Sequence, residues 1–583
     1  MSSEIAEELS KQTQELVSKF ESRAASFSQR RDLTGLTLPA DARRAEEFAV
    51  KLFGRGEHIA TGIDGSMDFD ERLQMILFYS NATAYNCTFT VNDQIHFDLD
   101  SAYRDSKLAA SAAVPLWSED LANVSSAEPE IDIELEHSME RIPNSFMTLG
   151  ELFLANLACE KASIVFLDRP MSGTYSTLSR DARNLLKRKE SNLTKWPGEN
   201  GVTLLDLHLA IKLGSPAMVV PTRSRYLPLA IIQELMDGPK TVSQLATTLK
   251  VGEGEVTRAK SRLEKLDKMY GNKLLADSTD KSIVLAERVT GYWERVSALS
   301  MTYARDVFER RRHPLALGGD EYITILDVNA MSLFLLDLLC QRAKEKGVLL
   351  IGIAKDTTAT DIARAVLPFA ASRGFLRLSS APPRLKNDRA FLAILSSENP
   401  SIKTPWRTMS YDSAFSTVID IDGNFVSARK VVSREKLFVR SFFQLRSLKT
   451  DPSVRSQVFL FDRVYDARFD ADATRDFSVK ERAGTAHLNP YFEGDVQSQL
   501  SNLILHILSL NDNPEVFEAF GHNQLLYLAD KAVKAEVRML RSSLHGVADL
   551  RVGGVSSRRK IFGLVTPYRQ QRAEAEHARM RSS

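Results

Sequence analysis

Cysteine is scarce in this chain, and the positions of its few cysteines exclude two common kinds of cross-link. The 583 residues contain three cysteines, Cys87, Cys159 and Cys340. No two of them have CxxC spacing, so the sequence offers neither a structural zinc site nor a disulfide framework. This cysteine usage is typical of a reducing compartment, and we predict a cytoplasmic protein.

The chain also lacks a charge excess and long apolar runs. Lysine plus arginine (76) nearly equals aspartate plus glutamate (75), so binding to nucleic acid must come from local basic patches. No apolar run reaches the length of a membrane span, and the polar first 19 residues do not resemble a signal peptide. The composition, 43% hydrophobic and 26% charged, predicts several globular domains and no membrane association.

Several enzyme motifs are missing as well. The sequence contains no GxGxxG, GxSxG or HExxH. Gly347 and Gly352 have the spacing of a P-loop, but Ile353 and Ala354 stand where the Lys and the Ser or Thr of that motif should follow. We therefore expect no ATP hydrolysis by this chain.

Residues Ile59 to Ser66 form the most informative stretch that is present. A short run of β-branched and small residues ends in Asp64, which Gly65 follows. This pattern predicts a buried strand with Asp64 at its carboxyl end, where open α/β sheets place their chemistry. The alternative is an ordinary Asp-Gly turn without a chemical role.

A second run of this kind follows an amphipathic helix. The helix is predicted over residues 134–161, and Glu151 lies beside its apolar face. Residues 162–168 then form a continuous apolar strand that ends in Asp168. A helix followed by a buried strand is half of a βαβ unit, so Asp64 and Asp168 should lie at equivalent strand ends.

The segments around these motifs have weaker patterns. Residues 4–50 are predicted to be helical, because apolar residues recur there at helical spacing. Residues 59–63, 73–81, 87–91 and 94–97 are predicted to be the strands of a hairpin-rich sheet. The polar segment 98–130 is predicted to be loop and short helices.

The motifs together resemble those of the NurA family, DNA-end-processing nucleases with an RNase H-like core. The resemblance is carried by Ile63-Asp64-Gly65-Ser66, the helix with Glu151, and Phe166-Leu167-Asp168-Arg169-Pro170. The family's second motif usually reads Asp-Gly, whereas Arg169 follows Asp168 here. The resemblance implies an α/β fold in which helices flank an RNase H-like mixed sheet, with helical termini.

The resemblance also implies a metal site. In the family, two strand-end aspartates and one helical glutamate bind divalent metal, roles that would fall here to Asp64, Asp168 and Glu151. Carboxylates suit Mg²⁺ or Mn²⁺. The alternative is that Glu151 is a solvated helix residue, with Glu140 and Glu160 as competitors for its role.

Three further positions match the family's pattern. Lys355 ends the apolar strand 348–355, and the resemblance implies that it contacts the scissile phosphate. Strands are predicted at 437–443 and 457–463, where the family has a strand pair. On the terminal helix, Asp530 aligns best with a late metal ligand and His522 second. A surface position for Asp530, and a loop or cap role for His522, are the alternatives.

Residues 226–285 predict a winged helix inserted into the core. Two helices at about 227–236 and 241–246 precede a basic third helix from Glu253 to Met269, and a wing at 273–285 follows. Lysines and arginines on the third helix suit phosphate contact, but Glu253, Glu255 and Glu264 dilute that charge. Contact with DNA and contact with protein are both left open.

Five regions are therefore predicted. They are a helical arm (1–56), the first part of a nuclease core (57–225), the winged-helix insertion with the helix after it (226–315), the second part of the core (316–545) and a basic C-terminal tail (546–583). The function predicted is a metal-dependent DNA nuclease acting at DNA ends, in repair or in defence against foreign DNA. The resemblance implies a homodimer and a HerA-like hexameric ATPase as partner. The alternative is an inactive adaptor that binds DNA or regulates a partner ATPase.

Overall fold

The structure of the chain is a computed structural model in which most of the sequence is described. The described residues are 2–72, 75–125, 132–188, 190–197, 201–218, 227–271, 273–276, 281–318, 321–380, 385–413, 415, 419, 422–423, 438–448, 451, 454–474, 477–481, 484–488, 490–512 and 521–553. The predicted tail beyond residue 553 and the segment 513–520 lie outside them.

The helices follow one another along the whole described chain. They are α1 (Ser2–Ser28), α2 (Ala42–Phe53), α3 (Leu121–Ser125), α4 (Asp132–Ala158), α5 (Met171–Arg188), α6 (Leu204–Leu213), α7 (Leu227–Leu235), α8 (Val242–Thr248), α9 (Glu253–Tyr270), α10 (Glu287–Thr290), α11 (Tyr292–Phe308), α12 (Ile325–Lys346), α13 (Leu367–Ser372), α14 (Asp388–Glu398), α15 (Ala467–Asp470), α16 (Gln499–Leu510) and α17 (Gln524–Gly553). No helix within the described ranges is long and apolar enough to cross a membrane.

The strands are concentrated in the two halves on either side of the region from α7 to α11. They are β1 (Thr37–Pro39), β2 (Gly56–Arg72), β3 (Met75–Val91), β4 (Ile95–Phe97), β5 (Tyr103–Trp117), β6 (Ile164–Leu167), β7 (Lys240–Thr241), β8 (Leu275–Ala276), β9 (Ser282–Leu285), β10 (Ala316–Gly318), β11 (Glu321–Tyr322), β12 (Leu349–Ala354), β13 (Trp406–Thr408), β14 (Tyr411–Asp412), β15 (Phe438–Gln444), β16 (Phe459–Val464), β17 (Phe477–Glu481) and β18 (Gly484–Leu488).

One large mixed sheet joins both halves of the predicted core. Its strand order is β1-β13-β15-β16-β12-β6-β2-β3-β4, and β5 and β14 pair with β3 and β15. At its centre β2, β6 and β12 are parallel, whereas β3 and β16 run antiparallel to their neighbours. All residues of β6 and β12 are buried, as in parallel strands covered on both faces. The predicted α/β class, a mixed sheet flanked by helices, is confirmed.

The two faces of the central strands belong to two different hydrophobic cores. Ile63 and Leu167 are part of the core that contains the inner face of α4. Ala60 and Phe166 alternate with them and are part of the core that contains α16 and the start of α17. The sheet is therefore a layer between α4 on one side and α16 and α17 on the other.

Three predictions about the first half were wrong. The predicted strands 73–81 and 87–91 are parts of one continuous strand, β3 (Met75–Val91). Asp64 does not end a strand, because β2 continues through Gly65 and pairs with β3 from Gly56 to Arg72. The segment 98–130 is not mainly loop, since β5 is a strand of 15 residues whose buried positions alternate along its second half. Its apolar positions are largely alanines present on both faces, so hydrophobicity alternates only weakly in the sequence.

Residues 227–285 form a compact unit of helices and short strands. The order is α7, β7, α8, α9, β8 and β9, and the strands form a separate sheet, β7-β9-β8. A capping box at Thr241 starts α8, and Gly271, in the left-handed region with φ 64°, follows α9. The unit's core residues Leu245, Val256 and Leu263 belong to the same hydrophobic cluster as α4 and α12.

Candidate active site

Asp64 and Asp168 lie side by side although only one of them ends a strand. The parallel pairing of β2 with β6 stops at Ile63 opposite Leu167. The next residue on each chain is the aspartate, and the backbone N–H of Asp168 donates to the Ile63 carbonyl at 3.2 Å. The two carboxylates thus meet at the point where β6 ends and β2 continues towards its partner β3.

Glu151 reaches the same point from α4. The residue is 1% exposed. A Cβ atom at Gly65 would overlap the Oε1 atom of Glu151 and the Cγ atom of Met147. The glycine after Asp64 leaves room for these side chains of α4, and it lies within β2 and is not part of a turn.

Burial and mutual repulsion dominate the electrostatics of the three carboxylates. Burial, followed by repulsion from Asp168 and Glu151, raises the pKa of Asp64 to about 9. Burial also raises the pKa of Glu151, and Arg169 opposes that rise. Because ionised carboxylates repel one another here, the site favours the arrival of a cation.

Two basic side chains already neutralise part of this charge. Arg169 donates from Nε to Glu151 Oε2, and from Nη1 to Thr148 Oγ1 at 2.8 Å. Lys355, directly after β12, forms an ion pair with Asp168. Burial lowers the pKa of Lys355, but the nearby carboxylates, Asp168 above all, raise it overall. Lys355 therefore carries its positive charge at the edge of the site.

The chemistry of the site suits a divalent cation, whereas the side-chain arrangement does not yet surround one. Three repelling carboxylates are the oxygen donors that Mg²⁺ and Mn²⁺ prefer. However, Glu151 and Asp168 are turned to Arg169 and Lys355. Over the described ranges, no three His, Cys, Asp or Glu side chains stand together as a metal site requires. Asp64, Asp168 and Glu151 fit a metal by donor type, and holding one requires these ion pairs to rearrange.

The two late candidates lie on the same side of the sheet but have different surroundings. Asp530, on α17, pairs with Lys534 at 2.7 Å and helps to raise the pKa of Lys355. His522 is 7% exposed and packs beside Phe459. Burial and the charge of Lys355 lower the pKa of His522 to about 3, so the imidazole is neutral. Within the part of the chain described, neither ring nitrogen of His522 has a hydrogen-bond partner.

Comparison with known proteins finds similar solved structures but no matching family model and no matching curated protein. The crystal structure of the NurA nuclease from Sulfolobus solfataricus is 10% identical, covers 93% of this chain and 97% of its own, and has a TM-score of 0.38. A crystal structure of NurA with manganese is 12% identical over 92% of this chain and 98% of its own, with a TM-score of 0.34. A crystal structure of NurA bound to dAMP and manganese is 12% identical over 84% of this chain and 90% of its own, with a TM-score of 0.31. Likeness at this level is too low to establish a shared function.

Sequence reasoning missed a buried polar network behind Asp168. Asp462, in the second half of β16, accepts from the Met171 N–H at 3.0 Å and from Ser172 N–H at 2.8 Å. Arg440 donates to Ser172 Oγ and to Asp361 Oδ2, both at 2.8 Å. The network fixes the start of α5 and thereby the short segment that carries Asp168. A signal was available, because Leu460-Phe461-Asp462-Arg463 repeats the pattern Phe166-Leu167-Asp168-Arg169.

Proposed function

We propose that this protein is a divalent-metal-dependent nuclease of the NurA type that hydrolyses phosphodiester bonds in DNA. One observation carries the proposal. Asp64 within β2 and Asp168 just after β6 lie side by side where the parallel pairing of these strands stops, and α4 brings the buried Glu151 to the same point. Buried carboxylates gathered beside a strand end, with a lysine next to them, suit phosphoryl chemistry.

Each residue has a definite task in this proposal. Asp64, Asp168 and Glu151 hold the metal, Mn²⁺ or Mg²⁺, with Asp530 and His522 as further candidate ligands. The bound metal supplies Lewis-acid stabilisation of the phosphoryl oxygens and a more acidic water. Lys355 places its ammonium group against the phosphate of the substrate. Its pairing with Asp168 orients it towards the edge of the site until DNA arrives.

A second function has an observation in its favour. Glu151 and Asp168 are both paired with basic residues of this chain, as in a site that no longer binds metal. The protein would then be an inactive adaptor that binds DNA or regulates a partner ATPase.

We further propose the setting in which the nuclease works. The unit of residues 227–285 acts as a winged helix that contacts DNA or a partner protein, as its element order of helices and short strands supports. Because the sequence has no Walker A motif, movement of DNA must come from another protein, which we propose is a HerA-like hexameric ATPase. A homodimer acting on DNA ends in the cytoplasm, in repair or defence, completes the proposal.

The deciding experiment compares cleavage by matched variants. Purified wild type, Asp64→Asn, Asp168→Asn and the control Asp93→Asn, whose side chain is 90% exposed, are incubated with linear duplex and single-stranded DNA. Mn²⁺, Mg²⁺ or EDTA is present, with and without the partner ATPase. We expect metal-dependent cleavage that falls at least about a hundredfold in both site variants, because a direct ligand should cost at least as much as an outer-shell partner of a metal. The control should cleave like wild type.

Two results would contradict this proposal in different ways. Absence of cleavage under every condition would leave the adaptor function. Cleavage that persists in Asp64→Asn and Asp168→Asn would show a nuclease whose active site lies elsewhere.

A further inference from the structure

Arg169 occupies a position where it can control access to Glu151. It follows Asp168 directly, and its guanidinium contacts both Glu151 and Thr148 of α4. The Glu151 side chain is 2% exposed and that of Arg169 is 14% exposed. The Arg169 side chain is thus more accessible to solvent than the carboxylate that it contacts.

The pair has a strong physical reason to form. An ionised carboxylate that is buried without a partner is very unfavourable, and a charge-assisted interaction with arginine offsets that cost. Arg169 also links α4 to the end of β6. Thr148 lies one helical turn before Glu151, so the guanidinium contacts two side chains of the same helix. Two other buried carboxylates, Glu493 and Asp470, have arginine partners that are themselves 2% exposed or less, whereas the buried Asp206 and Asp512 pair with arginines that are 23% and 34% exposed. Arg169, at 14%, lies between these groups and can leave with less disturbance than the fully buried arginines.

A metal and this guanidinium cannot use the same carboxylate oxygen. Glu151 Oε2 is engaged by Arg169 Nε, and Glu151 Oε1 faces Gly65, beside Asp64. A cation held jointly by Asp64 and Glu151 would bring a second positive charge next to the guanidinium. Repulsion between them would weaken both the ion pair and the metal site.

We propose that Arg169 is a positioning residue that competes with the divalent cation for Glu151. It holds the carboxylate in place until metal arrives, and metal binding requires the guanidinium to move outwards. The result is a site with weakened metal affinity that becomes complete only when Arg169 leaves. This inference rests on the proposed function, because it assumes that Glu151 is a metal ligand.

The experiment measures Mn²⁺ affinity directly, without cleavage. Free Mn²⁺ is followed by electron paramagnetic resonance during titration of the full-length wild type, Arg169→Gln and the control Arg180→Gln. Arg180 is 69% exposed and lies on α5, so the control removes the same charge away from the carboxylates. We expect Arg169→Gln to bind Mn²⁺ roughly tenfold more tightly, which is the scale of one charge-assisted hydrogen bond. Arg180→Gln should bind like wild type.

A double-variant comparison shows whether the effect passes through Glu151. In a Glu151→Gln background, the Arg169→Gln change should alter Mn²⁺ affinity by less than about twofold, because the shared carboxylate is gone. If Arg169→Gln does not fold, Arg169→Lys serves instead, since a lysine cannot bridge Glu151 and Thr148 with a planar fork. It should bind Mn²⁺ more tightly than wild type.

The outcomes separate the inference from the function on which it rests. Unchanged or weaker Mn²⁺ binding in the Arg169 variant that folds, while wild type binds Mn²⁺, overturns the competition and leaves the metal site standing. An equal gain in the Glu151→Gln background also overturns it. Failure of the wild type and all variants to bind Mn²⁺ refutes the metal site and the inference together.

Discussion

The ionisation of Asp64 depends on its neighbours. Burial and the charges of Asp168 and Glu151 raise its pKa from the ordinary value of 3.8 to about 9. Between these two pH values the folded protein retains a proton that the unfolded chain has released. The contribution of Asp64 to stability is therefore undiminished below about pH 4 and falls as the pH rises towards 9.

This linkage predicts that Asp64→Asn stabilises the protein at alkaline pH when metal is absent. Asparagine resembles the neutral acid and cannot ionise, so it removes the cost of a buried charge. In buffer with EDTA, the variant should melt at least about 2 °C above wild type at pH 8, a shift that corresponds to roughly 2.5 kcal/mol for a chain of 583 residues. Near pH 4 the two melting temperatures should agree.

The exposed residue Asp93 provides the control. Its side chain is 90% exposed, so Asp93→Asn should melt like wild type at both pH values. If the difference in melting temperature between Asp64→Asn and wild type is the same at pH 4 and pH 8, Asp64 ionises as an ordinary aspartate.

At the scale of elements, the position of α17 depends on a glycine in β2. A Cβ atom at Gly62 would lie 2.6 Å from Leu525 Cβ and 2.9 Å from the Leu525 backbone carbon. The start of α17 is thus in close contact with β2 two residues before Asp64. His522 and Asp530 flank this contact along the chain, so the late candidates are placed by the packing of one helix on one strand.

We predict that Gly62→Ala destabilises the protein and moves α17. An added methyl group against backbone has no space to enter, and overpacking of this kind costs about 1–3 kcal/mol. The measurement is the free energy of unfolding in urea, alongside Mn²⁺ affinity.

Gly254 in α9 is the matched control. No atom lies within 4 Å of a Cβ built there. Gly254→Ala should be neutral or stabilising by about 0.5–1 kcal/mol, because alanine favours a helix. Equal stability of Gly62→Ala and Gly254→Ala would show that α17 can move away from the sheet without cost.

At the scale of the whole molecule, the unit of residues 227–285 packs against the rest of the chain. Its core is continuous with that of α4 and α12. His208 Nδ1 of α6 and the Tyr270 hydroxyl of α9 are hydrogen-bonded at 2.7 Å. Burial, with a smaller effect of Lys212, lowers the pKa of His208 to about 4. Deleting the unit would expose this shared core, so its role is better tested by surface charge.

If the unit binds DNA, neutralising exposed basic residues of α9 should weaken binding evenly across DNA sequences. The variant combines Arg258→Gln, Arg262→Gln and Lys265→Gln, which are all exposed. For every phosphate that the variant no longer neutralises, the slope of log K against log salt concentration should become shallower by about one. The measurement is fluorescence anisotropy with labelled DNA at several salt concentrations.

A matched triple variant on α2 tests for a mere effect of net charge. It combines Arg43→Gln, Arg44→Gln and Lys51→Gln, also all exposed. The α2 variant should keep the wild-type salt slope. Equal slopes for both triple variants would assign the unit to protein contact.

Part of the site could be predicted because its signals are local. The apolar runs of β6 and β12 identify buried strands. Asp168 comes directly after β6 in the sequence, and Lys355 comes directly after β12. The helix that carries Glu151 is also where its periodicity predicted it, since α4 spans Asp132–Ala158. Winged-helix function, the ATPase and the dimer stay predictions.

The sequence by itself determined the helix that carries Glu151 and the buried strands β6 and β12, because periodicity and side-chain branching act over a few residues. Only the tertiary structure decided where Asp64 lies along β2 and which basic side chain pairs with Glu151. Both depend on contacts distant in sequence: β6 ends beside Ile63 while β3 continues to pair with β2, and Arg169 meets α4 across 18 residues. Local patterns do not specify where a distant partner ends.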